Sequence, residues 1–179
     1  MLKRAFIMIA LTWIVWGSGS CTKHGRQSQT GKGEAPEIID SYAAEVIRSG
    51  ETLRVYLKAR DKDGDMRNII ARLSQTGRGV TGASSTPIEE QHSEEVAGYL
   101  ALRTPRDRRL GRDRFTLRIF VEDSQGNRSE TAEFPLRFAN VPPAEIPEKW
   151  EKFEDRSLGF IKITVKSSAR RRSRGDRWF

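Results

Sequence analysis

The chain has 179 residues, 36% of them apolar and 31% charged, with a formal net charge of +8. That length accommodates one main domain with tails, and the apolar share suffices for a core, which excludes wholesale disorder. The excess positive charge sits at the two ends, at Lys3 and Arg4 and in the run from Lys166 to Arg177, so the high overall charge is not evidence for a basic nucleic-acid-binding face on the near-neutral body between them.

Met1-Leu2-Lys3-Arg4 is a short positive segment, and Ala5 to Trp16 follows without a charge. A helix that spans a bilayer needs about 20 apolar residues, whereas a run of this length suits the apolar region of a secretory signal. Small residues come next, Gly17-Ser18-Gly19-Ser20, and then Cys21, the one cysteine of the chain. Residues 1–20 therefore read as a signal peptide. The stretch resembles a bacterial lipoprotein signal, although Ser18 stands where that family usually carries Leu. The resemblance implies lipid attachment at Cys21, cleavage just before it, and a membrane as the first partner. Thr22, where inner-membrane lipoproteins of enteric bacteria often carry Asp, leans the localisation towards the outer membrane. If Cys21 is acylated, the mature body holds no thiol and must fold without disulfides. Residues 21–35, rich in Gly, Ser, Gln and Thr, read as a lipidated flexible tether.

The body is expected from Pro36. Glu37 to Tyr42 reads as a first edge strand. Thr52 to Arg60 alternates, with Leu53, Val55, Leu57 and Ala59 on one face, the period of a half-buried strand. Met66 to Leu73 reads as a third strand. Ser74 to Glu90, rich in Gly, Ser and Thr, reads as a long loop. Val96 to Leu102 is a fourth strand, and the charged stretch Thr104 to Arg112 is a connection. Phe115, Leu117, Ile119 and Val121 mark a fifth strand. Ala132, Phe134, Leu136 and Phe138 mark a sixth, with Pro135 on its outer face as befits an edge or a bulge.

Short strands at regular turn spacing argue an antiparallel sandwich. The segments L-R-V-Y-L-K-A-R-D-K-D-G-D and F-T-L-R-I-F-V-E-D-S-Q-G-N resemble those of bacterial immunoglobulin-like, cadherin-like and polycystic-kidney-disease-repeat domains. The fold class implied is all-β, an immunoglobulin-like antiparallel β-sandwich of about seven strands over residues 36–140, with a short C-terminal helix and disordered ends. The extension, residues 141–166, holds Trp150 and Phe153 on a short helix. It also holds an alternating stretch from Gly159 to Lys166, which either adds a strand to a sheet edge or offers one to a partner. Residues 167–179 read as a basic disordered tail.

Two clusters are candidates for binding. Asp61, Asp63 and Asp65, with Asp123 from the matching turn of the later strand, are hard-oxygen ligands of the kind calcium takes. The spacing is not that of an EF-hand, since Gly64 comes two positions early and Arg72 stands where the closing Glu belongs. The competing reading is a set of turns in which Asp side chains cap backbone N–H groups. Arg170, Arg171, Arg172 and Arg174 suit an anionic surface, against the competing reading of a solvated chain end. No other cofactor is implied. The two histidines, His24 and His92, belong to no visible triad or zinc set, so catalysis is not expected. The sequence reads as a non-enzymatic cell-envelope lipoprotein with a structural or binding role towards an envelope protein, a glycan or an anionic surface, and not towards nucleic acid. A calcium-dependent adhesion or carbohydrate-binding module is the second reading, and an unrecognised envelope enzyme the third.

Overall fold

A computed structural model of the chain describes residues 33–168. Cys21 and the arginines at 170, 171, 172 and 174 lie outside the described residues, as do the signal segment and most of the predicted tether.

Nine strands are found among the described residues: β1 Glu37–Ala43, β2 Val46–Ile47, β3 Thr52–Arg60, β4 Met66–Gln75, β5 Gly79–Pro87, β6 Glu95–Arg103, β7 Arg114–Asp123, β8 Ala132–Phe138 and β9 Ser157–Phe160. They form two sheets, ordered β1-β3-β6-β9 and β2-β8-β7-β4-β5. The chain switches from the first sheet to the second between β1 and β2, where β2 lies parallel to β8. Strands β3 and β6 pair antiparallel in one sheet, while β4, β7 and β8 pair antiparallel in the other. This Greek-key connectivity, with a first strand split between the sheets, is that of an immunoglobulin-like sandwich.

The alternation seen in the sequence decides which faces meet. Val55, Leu57 and Ala59 of β3 and Leu117, Ile119 and Val121 of β7 are fully enclosed between the sheets. Each of these Val, Leu and Ile side chains contributes about 1.5–3 kcal/mol of transfer free energy on burial. Pro135 costs no ladder bond. The N–H groups of Arg137 and Ala139, on the same side of β8, donate to Glu45 and Ile47 around β2, and Pro135 lies beyond that short strand.

Two expectations change. Gly79–Pro87, inside the stretch read as a long loop, is the edge strand β5, paired with β4 from Asn68↔Pro87 to Gln75↔Gly79. Its residues have little intrinsic strand preference, so tertiary pairing overrides local propensity. The small side chains have a use there, because a Cβ on Gly82 would come within 2.6 Å of Ile163. The expected helix is one turn, α1 Glu148–Glu151.

The segment after α1 closes the open side of the sandwich. Strand β9 runs parallel to β6, and Ile161 N–H donates to the Ala101 carbonyl at 3.0 Å. Beyond it, Ile161, Ile163 and Val165 turn into the shared core. On the other flank, the Thr86 hydroxyl donates to the Phe160 carbonyl (3.2 Å) and Lys162 N–H donates to the Ser84 hydroxyl (2.9 Å). Residues 157–165 thus lie between the β6 edge of one sheet and the β5 edge of the other.

Candidate binding surfaces

The four carboxylates singled out in the sequence come to one pole of the sandwich. Asp61 N–H donates to Glu94 O at 2.9 Å, and Ser124 N–H donates to Asp65 O at 3.0 Å, which joins the turn after β3 to those before β6 and after β7. Their side chains act chiefly as turn caps. Asp61 accepts the Asp65 N–H at 3.2 Å, and Asp123 accepts the N–H groups of Gln125 (2.9 Å) and Asn127 (2.8 Å) and the Asn127 amide (2.8 Å). Asp63 Oδ2 accepts the Glu34 N–H at 2.7 Å. Among the described residues no group of three or more His, Cys, Asp or Glu stands as a metal-holding set.

Asp61 is 2% exposed. Burial first, and then its hydrogen bond to the Asp65 carboxyl, push its pKa up to about 6. Asp65 Oδ1 is buried without a hydrogen-bond partner among the described residues.

A second surface was only half visible in the sequence. On the outer face of the first sheet, Tyr56 lies with its ring centroid 6.3 Å from Tyr42, 5.9 Å from Tyr99 and 5.5 Å from Trp150. Trp150, placed by α1, is buried on top of Tyr56, so this outward position of β3 is only 1% exposed. The segment carrying Trp150 is tied down by a Lys149–Asp40 ion pair at 2.6 Å and by the Tyr42 hydroxyl donating to Glu145 O at 3.2 Å. Arg54 lies 4.8 Å from the Tyr99 ring centroid at the margin. The pairing of Trp150 and Phe153 with the body was legible. Its target was not, because Tyr56 sits on the face that alternation assigns to solvent.

A groove of about 590 Å³ opens on the closing side, where Ile69, Val96 and Leu158 form an apolar floor and Glu89, His92 and Asp155 stand among its walls. It lies where β5 ends and β9 begins. An aliphatic floor with polar sides can hold a partner's side chain or a small amphipathic molecule. His92 thereby shares the groove's lining with Glu89, Glu95, Asp155 and Ser157.

No family model matches the chain, and no curated protein matches it. Among solved structures, it is similar to the sporulation control protein Spo0M from Bacillus subtilis, at 13% identity over 61% of this chain and 51% of that one, with a TM-score of 0.44. It is also similar to the CARDB domain of the PF1109 protein from Pyrococcus furiosus, crystallised with di-metal ions, at 11% identity over 62% and 92% of the two chains and a TM-score of 0.35. The match to the alkylpurine DNA glycosylase AlkC of Pseudomonas fluorescens has 17% identity over 57% and 30%, with a TM-score of 0.34. The matched region spans about half of Spo0M and under a third of AlkC. The sandwich assignment rests on the chain's own strand order.

Proposed function

We propose that this chain is an exported lipoprotein, held to a membrane through Cys21, that displays an immunoglobulin-like domain for a structural or binding role in the cell envelope. The carrying observation is the join between tether and body. Glu34, inside the stretch 21–35 read as tether, is fixed to the Asp63 turn by its N–H and to Lys62 by an ion pair at 2.7 Å. The ordered body therefore begins within 13 residues of Cys21 and at one pole of the sandwich, the arrangement that suits a domain standing on a short leash. Several acyl chains on one residue would hold it durably, since each buried CH₂ contributes about 0.8 kcal/mol. An apolar-floored groove and charged poles support a binding role.

Expression of the native chain in a bacterial host, with fractionation and intact-mass measurement, tests this reading. The protein is expected in the membrane fraction, starting at Cys21 and carrying acyl mass. Cys21→Ser protein is expected to lose both. Recovery of wild-type protein as a soluble species with an unmodified thiol would remove the anchor and the envelope role together.

A further inference from the structure

The stretch Arg103 to Arg114 contains six arginines, at 103, 106, 108, 109, 112 and 114, in a body that is near neutral only when they are counted. The fold gathers them at the pole opposite the Asp61 turn. Arg103 pairs with Thr52 at the end of β6, Arg114 opens β7 beside Arg137, and the Arg114 carbonyl accepts Thr76 N–H in the turn that carries Arg78. Strand β7 runs from Arg114 to Asp123, so the two poles stand roughly 30 Å apart.

This pole is built rather than loose. The Ser49 hydroxyl donates to Pro105 O at 2.7 Å and accepts Asp107 N–H at 2.7 Å. The Thr104 hydroxyl donates to Glu51 O at 2.6 Å and accepts Gly50 N–H at 3.1 Å. The stem of Arg106 lies across Gly50, whose φ of +93° makes the tight turn beneath it. A short 3-10 turn, Arg108–Arg112, is capped by Asp107 and pinned by the fully buried Leu110. The acids of this end are already engaged: Asp107 binds Arg109 (2.8 Å), Glu51 faces Arg48 (3.5 Å) and Asp113 accepts from Ser168. Among the described residues, Arg78, Arg103, Arg106, Arg108, Arg112 and Arg114 have no carboxylate partner in an ion pair, and all six are exposed.

We propose that this arginine pole is a docking surface for an anionic polysaccharide. The inference takes from the proposed function only the export that sets nucleic acid aside. Guanidinium forks pair bidentately with the carboxylates, sulfates or phosphates repeated along such a chain. A bilayer surface fits less well, since membrane interfaces favour Trp and Tyr. The Arg103–Arg114 stretch presents neither, Leu110 is turned inward, Val80 beside the Arg78 turn is a single exposed aliphatic group, and the one exposed ring among the described residues, Phe160, is covered on one face by the Arg103 guanidinium at 5.2 Å. The described chain enters at the far, acidic pole, where the Glu34 N–H is bonded to Asp63, and leaves the arginine pole unobstructed by it.

The test is solution binding of the Cys21→Ser chain, residues 21–179, which has no acyl anchor to enter a bilayer, to heparin and to alginate, as sulfated and carboxylated probes, beside phosphatidylglycerol vesicles and duplex DNA. Both polysaccharides are expected to bind, more weakly as salt rises. Arg106→Gln/Arg108→Gln/Arg112→Gln is expected to lower affinity about tenfold or more at low salt. The same loss is expected in a chain lacking residues 169–179, which separates the pole from the tail. If the triple variant folds poorly, Arg108→Gln/Arg112→Gln serves, because neither side chain covers Gly50. Unchanged affinity in the folded variants, or tighter binding to the vesicles or the DNA, overturns the proposal. The anchor is absent from every chain measured, so loss of the anchor and loss of this site are told apart.

Discussion

Ser168 donates both its backbone N–H, at 3.1 Å, and its hydroxyl to the buried carboxylate of Asp113. That clasp joins the end of the closing segment to the start of β7. Burial alone would raise the Asp113 pKa, but the hydrogen bonds from Ser168 and Ser167 outweigh it and hold the carboxyl below its ordinary value. A folded-state pKa below the unfolded one stabilises the fold above the unfolded value, about 3.9, and that stability is lost as pH falls through the folded value. Asp113→Ala is expected to cost about 2 kcal/mol at neutral pH. Urea titrations across the acid range should show the wild type losing this advantage below about pH 4, while the variant, which never has it, changes less.

Asp61 has the opposite sign. Its folded pKa, about 6, lies above the unfolded value, so its contribution is present at low pH and is lost as pH rises through 6. Asp61→Asn mimics the protonated form. It is expected to match the wild type near pH 4 and to exceed it by roughly 1–2 kcal/mol at pH 8, as read from urea midpoints. The melting temperature near neutral pH is expected to be the same in millimolar calcium and in chelator. A calcium-induced rise that Asp61→Asn abolishes would instead make the Asp61–Asp65 pair a cation site.

Gly98 of β6 lies directly under the closing segment. A Cβ there would press on the Arg156 carbonyl and come within 2.9 Å of Leu158. Backbone gives way poorly, so Gly98→Ala is expected to cost about 1–3 kcal/mol through overpacking. Amide exchange should speed up in residues 157–165 before it does in β3 and β7. Equal protection throughout would contradict the role given to this contact.

Trp150 is expected to behave as a core residue although it lies outside the two sheets. Trp150→Ala should cost about 3–5 kcal/mol and expose Tyr56. In the wild type, Trp150 is expected to give blue-shifted emission that is lost in the variant. A melting temperature unchanged by the substitution would show that the α1 segment merely rests on the sheet.

How far the sequence could be read depended on what each residue answers to. Strands β3 and β7 were legible because one face is buried and the other wet, so alternation writes itself into the side chains. Strand β5 was not, because an edge strand under Ile163 needs small residues and these look like a loop. Tyr56 alternates onto the outer face and is nonetheless buried, since the Trp150 that covers it comes from 94 positions later in the chain. The Asp61 and Asp123 turns were recognised, and both carboxylates cap backbone N–H groups there. The arginine pole was hidden twice. Its residues read as a charged connection, and summing the charge of a near-neutral body cancels two poles of opposite sign that only the strand directions separate.

The central claim is that the sandwich stands on a lipidated Cys21. Intact mass of the protein extracted from membranes tests it most directly. The account predicts a chain that begins at Cys21 and carries acyl chains. A chain of equal length with a free Cys21 thiol, or one still bearing Met1 to Ser20, would contradict it.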